Sequence, residues 1–166
     1  MRHRLLLIIA LFLIGCDKEK QPDMDIDVLD NFSITDINGA NYELETTLKD
    51  NDYLLFFGFA TWCSWSRKSI PQIRSIDSLF SDRIQIFAVE GSFTFDENAV
   101  NEFVESYSLD MPIIIGIDNP VLTYILYPDS AIGFPSLMLI DSRRKVKYRQ
   151  MGYSENTMDS IMKYTN

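Results

Sequence analysis

Apolar positions along the chain form runs of strand length that alternate with stripes at helical spacing. Tyr53 to Ala60 (YLLFFGFA) is almost wholly apolar, the pattern of a strand buried on both faces at the centre of a sheet. Arg83 to Glu90 alternates and then turns apolar, predicting a second central strand. Between them Ile70, Ile73, Ile76, Leu79 and Phe80 recur at helical spacing, so a helix is predicted from Cys63 to Leu79 with Pro71 kinking it near its first turns. Phe32 to Thr35 and Tyr42 to Leu44 read as short strands around the turn signal Asn38-Gly39. Asp96 to Tyr107 is an amphipathic helix with Ala99, Val100, Phe103 and Val104 inward and Asp96 as N-cap. A strand from Pro112 to Ile117, a short helix from Pro120 to Tyr127, and strands Ser136 to Ile140 and Lys145 to Gln150 follow. A helix from Ser154 to Lys163 closes the chain. Met151, Met158 and Met162 near that end read as packing residues. Strands alternating with helices, then a hairpin and a helix, predict an α/β domain with a mixed sheet.

The N-terminus is of another kind. Arg2 and Arg4 precede an apolar run from Leu5 to Ile14, then Gly15 and Cys16. That run is short for a helix crossing roughly 30 Å of hydrocarbon, and the order of basic, apolar and small residues is that of a cleaved signal over residues 1–15. Leu13-Ile14-Gly15-Cys16 also resembles a bacterial lipobox, which implies lipid on the Cys16 thiol and a stable membrane anchor through several acyl chains. A secretory signal with an incidental cysteine, or a buried apolar helix, is the plainer alternative. Residues 16–30 are polar and acidic and read as a flexible tether, leaving 31–166 as the globular domain. Asp23, Asp25 and Asp27 alternate as at the start of a calcium loop, but Val28 and Ile34 stand where such a loop needs Gly and Glu.

Composition narrows the chemistry. With 166 residues, 46% hydrophobic, 7 Gly and 6 Pro, the chain suits one compact domain and excludes collagen-like or wholly disordered architectures. Its formal net charge of -9 opposes binding to a phosphate backbone, so no nucleic acid partner is expected. The single histidine, His3, lies in the expected signal. The mature domain therefore has no imidazole base and no histidine-ligated metal, and neither metal nor cofactor is expected.

With Cys16 committed to lipid, Cys63 is the remaining thiol, and an internal disulfide is excluded. It follows a buried strand and opens a helix, where unpaired amides and the helix dipole favour thiolate over thiol. Ser66, three residues on, lies on the same helical face, so its hydroxyl is expected to donate to the sulfur. Arg67 and Lys68 are expected to point to solvent. Trp62 and Trp65 bracket the cysteine with flat apolar surface, suited to shielding a mixed disulfide or holding an apolar peptide. The plain alternative is an ordinary buried cysteine with two core tryptophans.

The stretch FFGFATWCSWSRKSIP, Phe56 to Pro71, resembles the active-site segment of the thioredoxin superfamily, especially the membrane-tethered TlpA-like thiol-disulfide oxidoreductases. Gly133-Phe134-Pro135 stands where that family has its cis-proline, and Asp96 to Asp118 resembles that branch's extra helix and strand. The resemblance implies a thioredoxin-like fold, a central mixed sheet flanked by helices, with an additional N-terminal hairpin and a central βα insertion. It implies Cys63 as nucleophile, Trp62 as the packing residue before it, and Pro135 as the proline of the substrate loop; with Phe134 beside it and the flat faces of Trp62 and Trp65, a substrate surface is expected there. The family's second motif cysteine is replaced by Ser66, giving CxxS, and a hydroxyl neither attacks nor leaves in its place. Phe57 and Ser69 stand where relatives carry proton-handling carboxylates.

These features imply an extracytoplasmic, lipid-anchored protein of the bacterial cell envelope, facing the periplasm. It would exchange protein or peptide thiols and disulfides through Cys63 alone, with an external reducing thiol to complete the cycle. The alternatives are a redox-inactive, peptide-binding lipoprotein of the same fold and a single-cysteine peroxidase.

Overall fold

The computed structural model describes residues 28–92, 96–116, 119, 126 and 133–165. The expected signal, Cys16, most of the tether and, but for Leu126, the helix from Pro120 to Tyr127 lie outside these residues. A hairpin of β1 (Ser33–Thr35) and β2 (Asn41–Glu43) turns at Gly39, whose φ of 84° is left-handed backbone that glycine adopts without strain. The main sheet has five strands: β3 (Tyr53–Phe59), β4 (Ile84–Glu90), β5 (Ile113–Ile115), β6 (Ser136–Asp141) and β7 (Val146–Met151). Their order is β5-β4-β3-β6-β7, with β3, β4 and β5 parallel and β6 and β7 antiparallel to their neighbours. The helices are α1 (Leu44–Asp50), α2 (Ser64–Phe80), α3 (Glu97–Tyr107) and α4 (Thr157–Thr165). This is the expected α/β arrangement, with the hairpin before it and α3–β5 inserted between β4 and β6.

The apolar run of β3 is continuous because both faces of the sheet are covered. Leu55, Phe57 and Phe59 pack with Ile70, Ile73 and Ile76 of α2, Val100 and Phe103 of α3, and Ile161 of α4. Leu54 and Phe56 face the other way, onto Ile34, Leu44 and Leu48 from the hairpin and α1. Alternation with period two along one strand thus serves two cores. Phe57, fully buried in the first, fills the place where relatives were expected to carry a carboxylate.

Several expectations are corrected. Leu44 begins α1 rather than ending a strand, because Leu44 and Leu48, four apart, bury one helical stripe under the sheet. Leu79 is 65% exposed, not core. At 100° per residue it lies about 115° from the mean direction of Ile70, Ile73, Ile76 and Phe80. The helix α2 contains Pro71, as expected, but starts one residue later, with Cys63 as its N-cap. Asp96 does cap α3, accepting from the amides of Asn98 and Ala99. The strand expected from Pro112 to Ile117 is only Ile113–Ile115, and the last helix starts at Thr157. Of the three C-terminal methionines Met158 packs on the core, while Met151 and Met162 are exposed.

Candidate active site

Three neighbouring strands deliver the candidate residues to one end of the sheet. The end of β3 leads into Ala60, Thr61, Trp62 and Cys63, the end of β4 carries Glu90, and the residues before β6 are Phe134 and Pro135. Backbone bonds shape the first loop: the Cys63 N–H donates to the Ala60 carbonyl at 2.9 Å, and the Arg67 N–H donates to the Cys63 carbonyl at 3.3 Å, opening α2. Cys63 has extended backbone (φ -82°, ψ 117°), as an N-cap requires, so its side chain stands at the mouth of the helix beside amides that lack helical partners.

The sulfur lies against the third strand. Cys63 Sγ is 3.6 Å from the Phe134 carbonyl, to which the thiol donates, and the residue is 8% exposed. The Phe134–Pro135 peptide is cis, and the Pro135 carbonyl accepts from Gly152 N–H at 2.7 Å just past β7. Cys63 thus meets Phe134 across a separation of 71 residues, with Pro135 next in the chain.

Ser66 departs from expectation. It is fully buried, and its Oγ accepts from the Ala60 N–H at 3.3 Å rather than donating to the sulfur. Ala60 lies one residue past the last paired position of β3, so its amide takes the hydroxyl in place of a strand partner, and Ser66 braces the loop. Arg67 and Lys68 are exposed but not idle. Arg67 Nη2 donates to the Thr61 carbonyl at 2.8 Å, and Lys68 Nζ lies 4.4 Å from the Tyr153 ring centre and 5.1 Å from that of Trp65.

Both tryptophans are surface residues. Trp62 is 60% exposed and meets the Phe134 ring edge-on at 6.0 Å, while Trp65 is 53% exposed and stacks on Tyr153 at 5.6 Å. The core alternative for them is excluded. Together they leave a flat aromatic collar around a recessed thiol, and exposed apolar area of this kind is what a peptide partner covers. Beside Trp62 opens a groove of about 430 Å³ lined by Thr61, Arg67, Glu102, Phe103 and Tyr107.

Nothing in the sequence points to Glu90. It is 1% exposed, its Oε2 accepts from the Thr61 N–H at 3.2 Å, and its Oε1 accepts from the Ser92 N–H at 3.0 Å and from Ser92 Oγ. Burial raises its pKa, against the lowering effect of those hydrogen bonds. It ends an apolar run as any solvent-facing strand terminus does, and its partner Thr61 lies 29 residues away, so only the fold shows it to be buried. Among the described residues no group of three or more His, Cys, Asp or Glu lies together as a metal site would require.

Comparison with known proteins agrees with this arrangement. Residues 24–165 match the family model described as Redoxin. A thiol-disulfide oxidoreductase ResA of Bacillus cereus is 29% identical over 179 residues, spanning 98% of this chain and 95% of that one. Among solved structures, the thioredoxin domain of a thiol-disulfide oxidoreductase from Bacteroides vulgatus superposes with a TM-score of 0.67 at 20% identity, over 84% of this chain and 96% of that one. The exposed lipoprotein thioredoxin of Streptococcus pneumoniae gives 0.60 at 18% identity, over 81% and 97%. The fold is thioredoxin-like.

Proposed function

The chain belongs to the Redoxin family, and from that membership we propose that it performs thiol-disulfide exchange through Cys63 as its sole reacting sulfur. The Cys63 thiolate attacks one sulfur of a partner disulfide; a new S–S bond forms, the old one breaks, and the departing sulfur takes up a proton from water. The mixed disulfide then waits for an outside thiol. One such thiol displaces the partner's sulfur or Cys63 itself, and a second converts the remaining mixed disulfide to free thiol and oxidised reductant. Alternatively a second thiol of the partner attacks, which isomerises the partner without net reduction.

The observation that carries this reading is the contact between Cys63 Sγ and the Phe134 carbonyl beside Pro135. It puts the sulfur beside the backbone that leads into β6, next to the ring of Phe134 and the exposed face of Trp62, where a peptide partner would meet it. Trp62 and Trp65 supply the apolar collar that keeps water from the mixed disulfide. Ser66, buried and bonded to Ala60, takes no chemical part.

We include in the proposal attachment through lipid on Cys16 to an extracytoplasmic face of the cell envelope. The Leu13-Ile14-Gly15-Cys16 sequence supports it, and no helix among the described residues is long and apolar enough to cross a membrane. Mass spectrometry of Cys63 after mixing the protein with a peptide disulfide tests the exchange step. One peptide linked at Cys63, stable until dithiothreitol is added, is expected; no adduct across neutral pH refutes it.

A second reading, a holder of peptides without covalent chemistry, is favoured by the burial of Cys63 beside two exposed tryptophans. Partners captured equally by Cys63→Ser and by the unaltered protein would decide for that reading.

A further inference from the structure

Thr61 is gripped at both ends of its residue. Its N–H donates to Glu90 Oε2 at 3.2 Å from the end of β4, and its carbonyl accepts from Arg67 Nη2 at 2.8 Å from the first turns of α2. Glu90 is held in turn: with Ser92 on Oε1 and Thr61 on Oε2, both carboxylate oxygens are engaged. Two residues beyond Ala88, it faces the side of the sheet that carries Phe59 and Phe103. A carboxylate in such surroundings is unfavourable unless fully bonded, and its long-range partner is the loop that bears the thiol. Glu90 and Arg67 act on opposite ends of one residue, so each bond limits the rotation that would release the other.

Taking Cys63 as the exchanging thiol, we infer that Glu90 and Arg67 form a two-sided clamp on Thr61 that fixes the stance of Trp62 and Cys63, making both of them positioning residues for the reaction. With the clamp closed, Cys63 stays recessed with its sulfur on the Phe134 carbonyl. With one side removed the other holds Thr61 alone, and with both removed the loop from Ala60 to Cys63 keeps the Ser66 brace, its own internal bond and the Cys63 contact with Phe134.

The test uses the full chain carrying Glu90→Gln, Arg67→Met, both together, or Arg67→Lys, labelled with neutral iodoacetamide and quantified at Cys63 by peptide mass spectrometry. Loss of one charge-assisted bond is expected to speed labelling about tenfold in each single variant. Because both act on Thr61, the double variant should gain less than the product of the two. Arg67→Lys, which keeps a charged donor, should restore most of the slow rate. In a Trp65→Phe background the fluorescence anisotropy of Trp62 should fall in parallel, a signature that mere loss of stability does not give. Arg67 is exposed, so Arg67→Met folds even should Glu90→Gln not. Unchanged labelling and anisotropy in Arg67→Met, or a double variant equal to the product, overturns the clamp. Iodoacetamide reads Cys63 whether or not the chain exchanges disulfides, so a normal labelling response with no peptide adduct would strike the exchange reading alone.

Discussion

Replacing Ser66 with cysteine should convert a lasting mixed disulfide into a transient one. The two positions are three apart in the first turn of a helix, which sets their Cβ atoms about 5–6 Å apart, while a disulfide needs about 3.5–4.5 Å. Cys63, as an N-cap with extended backbone, has the freedom to close that difference by a small rotation. The new thiol need not reach the effective concentrations of ~10⁵–10⁸ M known for well-oriented pairs; even ~10 M exceeds an outside thiol at about 5 mM by roughly 2,000-fold. The structural penalty is modest. Sulfur is a poorer acceptor for the Ala60 N–H than the Ser66 hydroxyl, about 1 kcal/mol, and a larger atom at a fully buried position adds ~1 kcal/mol or more. Against a domain stability of ~5–15 kcal/mol the variant still folds. The assay is stopped-flow release of a chromogenic thiol from its mixed disulfide with Cys63, with and without added reductant. Release without reductant, at least a hundredfold faster than in the unaltered protein, is expected. A mixed disulfide as persistent in Ser66→Cys as in the parent would refute the argument that Ser66 alone blocks internal resolution.

Other outcomes are also expected. Glu90 has a raised pKa, so it contributes stability below the ordinary carboxyl range that is lost as pH rises through its raised value. Thermal melts of the parent and Glu90→Gln should therefore lie closest in acid, where the protonated carboxyl resembles the amide, and the parent should fall relative to Glu90→Gln as pH rises; parallel curves would contradict the assignment. Trp62→Ala removes an exposed ring and its edge contact with Phe134, so unfolding free energy should change by about 1 kcal/mol or less. Its exchange with peptide disulfides should slow about tenfold, the equivalent of ~1.4 kcal/mol of docking. Ile73→Ala empties a site with no solvent exposure between α2 and β3, and urea titration should show a loss of ~2–5 kcal/mol with unchanged slope.

The parts of the fold that were legible in the sequence are those where burial is two-sided or strongly periodic. Tyr53 to Phe59 and Ile84 to Glu90 can hardly be anything but central strands, and Cys63 at the junction of strand and helix follows from where one pattern stops and the next begins. The helix α1 was not legible, since Leu44 and Leu48 are its only buried residues and Thr46 and Thr47 between them are weak helix formers. At the site, the meeting of Cys63 with Phe134 and Pro135 follows from the family resemblance rather than from the residues themselves. Local spacing alone points the Ser66 hydroxyl toward the sulfur. The hydroxyl's actual donor, the Ala60 amide, needs a partner only because β3 ends where it does. Glu90 shows the same limit: an acidic strand terminus reads as solvated until the loop that covers it is in place.

The sheet also determines which way the Cys63 sulfur faces relative to the point where the described domain begins. Leu29 donates its N–H to the Arg144 carbonyl at 3.0 Å, in the turn after β6, and β6 pairs Asp141 with Tyr53 at one extreme and Ser136 with Gly58 at the other. The chain therefore enters at the pole opposite Cys63, the length of β3 away, about 20 Å at ~3.3 Å per residue. The last helix ends at that entry pole as well, where Tyr53 and Arg83 donate to the Tyr164 and Thr165 carbonyls. Were the domain held at Leu29, the tryptophan collar would face away from the point of attachment, like the head of a moored buoy.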